Sequence, residues 1–126
     1  MGKERPIWLA TAVAIAFLAI GIPYWRIPYN QFDLSHAELL PGAIFLTLAS
    51  LALIAVQAAP ARWVMGGMLA VAPFVDLVAI VRDTSADATT HNMAPFELIA
   101  AAALGACFVL PGAAIGLAIR ARARRA

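Results

Sequence analysis

Four apolar runs, each about twenty residues long, recur along this chain and constrain its fold more than any other feature. They cover about residues 7–25, 38–59, 63–81 and 96–119. A helix rises about 1.5 Å per residue, so about 20 residues cross the ~30 Å hydrocarbon core of a bilayer. Within lipid, every backbone polar group of such a run must find its partner inside the segment, which makes the run helical. Hydrophobic residues make up 63% of the 126 residues and charged ones only 13%. A water-soluble core of this size cannot hide that much apolar surface. The expected fold is an all-α integral membrane protein. It has one domain of four transmembrane helices in up–down–up–down order and a basic tail at 120–126.

Orientation follows from lysine and arginine near the span ends. With both termini on one side, that side holds Lys3, Arg5, Arg62, Arg120, Arg122, Arg124 and Arg125, against Arg26 and Arg82 opposite. Both termini are therefore expected in the cytoplasm, as in a multi-pass protein of a bacterial inner membrane. Lys3 and Arg5 before an apolar run resemble a signal peptide. The run ends in the bulky "GIPYWRIPY", however, so it reads as a retained helix. Trp8 and Trp63 are placed at the inner interface, and Tyr24, Trp25, Tyr29 and Phe32 at the outer one. The short connection "APAR" at 59–62 makes spans two and three expected neighbours.

The net charge of +2 is too small to suggest nucleic acid. The arginines that end the chain suit anionic lipid instead, at about 1 kcal/mol each. Cys107 is the only cysteine, so internal disulfides are excluded, and its position in span four suggests a buried packing residue. Ala101, Gly105, Gly112 and Gly116 form a stripe of small residues in the same span. Small residues let helix backbones approach closely in lipid, within the chain or between subunits. Pro73 and Pro111 each remove a helical hydrogen bond in mid-span. "SHAE" at 35–38 has the form of a capping box opening span two, and Glu97 lies in the first turn of span four. The two hairpins repeat weakly: Trp8 precedes His36, and Trp63 precedes His91, by the same 28 positions.

The acidic residues other than Glu4, together with both histidines, fall in the outer half of the expected bundle. Asp76, Asp83, His91, Asn92, Glu97 and His36 are the candidate ligand or proton residues. Asp76 lies six residues before Arg82, hence about 9 Å below the outer surface. A mid-membrane aspartate costs about 2.5–3.5 kcal/mol to insert, less at shallower depth. It therefore faces protein or a wet cavity, either as a proton or cation site or bonded to a loop hydroxyl, a loop amide or an arginine. Asp83 lies seven residues on, on nearly the same helix face. His91 sits in the polar loop "RDTSADATTHNMAPFE", where a solvated role is the ordinary one.

The histidines lack H-x-x-x-H or H-E-x-x-H spacing, and no P-loop, G-x-S-x-G or C-x-x-C is present. No metal, cofactor or catalytic residue is assigned. The economy of polar residues and the small-residue stripe point first to association. The chain would then be an accessory or structural subunit of a membrane complex, or a homo-oligomer. The alternative is a small transporter or channel using Asp76 and the outward polar cluster for proton or cation coupling. A third reading is a lipid-active enzyme with its chemistry in the 82–97 loop.

Overall fold

A computed structural model describes residues 5–28 and 37–126. All regular structure among them is helical: α1 (Pro6–Arg26), a single 3-10 turn (Ala37–Leu39), α2 (Leu40–Ala55), α3 (Ala61–Ala86) and α4 (Ala94–Arg125). Counting the 3-10 turn with α2, four helices are long and apolar enough to cross a membrane. Prolines open α1, α2 and α4, where the first amide has no helical partner to lose. Pro73 and Pro111 lie inside helices that continue through them.

Three of the four spans differ in extent from expectation. The second helix stops at Ala55, not 59. There the amide of Ala58 bonds the Leu53 carbonyl at 3.0 Å and the amide of Gln57 bonds the Ile54 carbonyl at 3.2 Å. Gln57 takes a left-handed φ of 56°. This is the two-bond stop usually built on glycine, here built on glutamine. The third helix runs on to Ala86, with the hydroxyls of Thr84 and Ser85 turned back onto the carbonyls of Ile80 and Val81 at 2.6 Å. The fourth begins at Ala94 and absorbs the basic tail as helix to Arg125. Ser35, half of the expected capping box, lies outside the described residues. α2 itself starts after Leu39, without a side-chain cap.

The core is formed by Ala16, Leu46, Ile54, Val64, Met68, Val75 and Val109. The outer faces present Leu48, Trp63, Phe96 and Ile99, as helices sheathed in lipid do. The broadest contact is α2 on α4, followed by α3 on α4, with α1 against α3 and α2. α2 and α3, expected side by side, touch less than any of these pairs. The glycines of α4 explain the difference. A Cβ on Gly112 would run into the carbonyl oxygen of Thr47, and one on Gly116 would stand 2.7 Å from that of Leu51. Glycine at both places lets the backbones of α2 and α4 meet. The Thr47 hydroxyl then donates 2.7 Å to the Phe108 carbonyl, one turn before Pro111. Gly105 faces α3 instead, with a built Cβ 3.0 Å from Ala72. The stripe thus serves two partners within the chain. Cys107 is exposed on the outer face of α4, not buried in packing, because its neighbours Gly105 and Val109 take the inward positions.

Candidate functional site

The last turn of α1 is fastened to the C-terminal half of α3 by three hydrogen bonds. The Tyr24 hydroxyl donates to Asp76 Oδ1 at 2.7 Å. The Trp25 indole donates to the Val75 carbonyl at 3.0 Å. Arg82 Nη1 donates back to the Trp25 carbonyl at 2.8 Å. Tyr24 and Trp25 therefore turn toward α3. Trp25 also stands edge-on to Phe17, with centroids 5.2 Å apart.

Beside this seam lies a cavity of about 580 Å³. Its inner wall is hydrocarbon: Leu46, Ala72, Val75, Ala101, Leu104 and Phe108. Its outer end carries Tyr24, Asp76, Arg82, Asp83, His91 and Glu97. Asp76 stands where the two regions meet. It is only 3% exposed, and its Oδ2 is buried with no hydrogen-bond partner among the described residues. A buried acceptor left unmade costs about 1–3 kcal/mol, and more when it carries charge. Such a group calls for an explanation, and a bound water or ion is one.

The loop after α3 brings His91 to the mouth. Asp87 ends the helix and folds the chain over. Its Oδ1 accepts from the Thr89 hydroxyl at 2.7 Å and the Thr89 amide at 2.9 Å. Those two bonds, the hydroxyl first, hold the Asp87 carboxyl below its ordinary 3.8. His91 then takes a φ of 53°, a left-handed conformation uncommon outside glycine. The turn points the ring inward, so His91 is 6% exposed and not a solvated loop residue. Its Nε2 lies 2.8 Å from Asp83 Oδ2 and its Nδ1 2.5 Å from Glu97 Oε2. A neutral imidazole has one N–H and would set a lone pair against one of the carboxylates. The imidazolium donates to both. Burial pulls this pKa down, but the bonds to Asp83 and Glu97 and their charges outweigh it, and the net shift is above 6.5. Asp83 also accepts from Arg82 Nε at 2.8 Å.

Asp76, Asp83, His91 and Glu97 are thus gathered around one cavity, and Ala101 and Gly105 line it farther in. Asn92 is exposed and is not among the lining residues. His36 lies outside the described residues, and with it the hairpin repeat it supported. The residue that sequence reasoning missed is Tyr24. The sequence places it beside Arg26 in the last turn of span one, but no local pattern turns it toward Asp76. Among the described residues, no three His, Cys, Asp or Glu side chains are placed to hold a metal ion. The chain matches no protein-family model, no curated protein and no solved structure.

Proposed function

We propose that this chain is a small membrane transporter or channel that uses Asp76 and the neighbouring polar cluster for proton or cation coupling, with Asp76 as the group that binds and releases the cation. It crosses the membrane four times in up–down–up–down order. Both termini lie in the cytoplasm, and the terminal arginines rest against anionic lipid. The seven-to-two division of basic residues supports this orientation. The bond from the Arg5 amide to the Ala58 carbonyl, 2.7 Å, supports the up–down order, since it ties the start of α1 to the connection after α2. The observation that carries the function is Asp76 itself, a residue that lines the cavity and keeps a buried Oδ2 with no hydrogen-bond partner among the described residues. An ionisable group inside a span marks an ion or proton path by default. The cluster of Asp83, His91 and Glu97 gives the path a hydrated mouth.

The test is flux in liposomes. Reconstituted protein with a trapped pH dye and an imposed potential should carry protons or cations. Asp76→Asn should remove that flux at unchanged protein content. Equal flux in the variant and the parent would reject the reading.

Association as a subunit or homo-oligomer is the second reading. Gly105, Gly112 and Gly116, which suggested it, are occupied within the chain. What favours it is Gly66, exposed on α3 with nothing within 4 Å of a built Cβ, where another helix could approach. Native mass spectrometry from mild detergent tests this. Stoichiometric foreign subunits would move association to first place.

A further inference from the structure

The geometry points to a specific cargo for this site: an organic ammonium carried on an apolar body, seated with its charge at Asp76 and its hydrocarbon against α4. This rests on the carrier reading above and names its substrate class. Three observations carry it. The first is the shape of the space. A proton needs no 580 Å³ cavity, whereas a ligand of drug-like size does. The second is chemistry. A bare metal ion wants several oxygen ligands, and below Asp76 the wall is Ala72, Val75, Ala101, Leu104 and Phe108. An ammonium needs one carboxylate and tolerates hydrocarbon and an aromatic ring beside it.

The third observation is charge. Asp76 and Asp83 from α3 and Glu97 from α4 face Arg82 from α3 and His91 from the loop. Among the described lining residues three carboxyl groups stand against two basic side chains, so one monocation would balance an ionised Asp76. Neither resident cation hydrogen-bonds Asp76 among the described residues: Arg82 donates to Trp25 and Asp83, and both ring nitrogens of His91 are placed on Asp83 and Glu97. Tyr24 occupies Oδ1 and leaves Oδ2, which an N–H donor would complete.

The experiment is equilibrium binding of tritiated phenethylamine to the full chain in phosphatidylcholine nanodiscs, with phenethyl alcohol as uncharged competitor. Expected is saturable binding, one per chain, above that of empty nanodiscs. It should weaken at least tenfold in Asp76→Asn and resist the alcohol. Undiminished binding to a folded Asp76→Asn, or equal displacement by the alcohol, would overturn the inference. Should Asp76→Asn fail to fold, Ala101→Trp carries the test. It fills the apolar wall without touching the carboxylate, and unchanged binding to it overturns the inference as well.

Phosphatidylethanolamine in the nanodiscs distinguishes the two sources of an ammonium. Displacement of the tracer assigns a lipid headgroup, and undisturbed tracer assigns a free amine. Both outcomes support an ammonium site. Flux through Asp76 with no amine binding would leave the carrier standing and remove its assigned cargo. Amine binding with no flux would do the reverse.

Discussion

Tyr24 and Asp76 are 52 positions apart and meet at 2.7 Å. Removing the phenol in Tyr24→Phe would leave both oxygens of a buried carboxyl without a donor. The expected cost is about 1–3 kcal/mol, read as a lower unfolding midpoint in detergent. His91 makes a prediction of opposite character. Its folded pKa lies above the unfolded value of 6.5, so its contribution is complete below 6.5 and is lost as pH rises through the folded value. The parent protein should therefore lose stability as pH rises above 6.5, and His91→Ala should flatten that decline. An identical pH profile in both would reject the imidazolium bridge. The Asp76 problem itself was legible in the sequence, since an aspartate in an apolar run needs a reason. Its partner was not. A tyrosine near a span end reads equally well as a headgroup anchor, and no local pattern says which way it turns. The inward turn of His91 was hidden for a different reason: it depends on a φ of 53° that "TTHN" does not announce.

At the level of elements, the glycines of α4 predict a contrast. Gly112→Ala places a Cβ against the Thr47 carbonyl, where backbone on both sides must give, and should destabilise by about 1–3 kcal/mol. Gly66→Ala meets nothing within 4 Å and gains helix propensity, so it should be neutral or stabilising by up to about 1 kcal/mol. Unfolding of both variants in one detergent gives the comparison. The four helices were readable because lipid permits little else for apolar runs of that length. Their ends were less so. α2 stops on Gln57, whose left-handed turn is normally a glycine's, and α4 continues because arginines form helix well once outside the core. The small-residue stripe was visible, but periodicity alone could not say that Gly105 serves α3 while Gly112 and Gly116 serve α2.

For the whole molecule, the basic residues predict sidedness. In a Cys107→Ser background, Thr90→Cys should react with a membrane-impermeant maleimide from outside the cell. Ala126→Cys should react only in inverted vesicles. The opposite pattern would reverse the orientation and place the cavity mouth toward the cytoplasm. Replacing Arg120, Arg122, Arg124 and Arg125 with alanine should weaken the preference for one orientation, read by the same labelling as a mixed population.

The exposed face of Cys107 has a practical consequence. The native chain carries a single thiol, and it looks out of the bundle midway along α4. It can therefore take a nitroxide or a fluorophore without disturbing the core. Quenchers fixed at known positions along lipid tails would then measure how deep α4 sits, giving the bilayer's ruler directly on the unmutated protein.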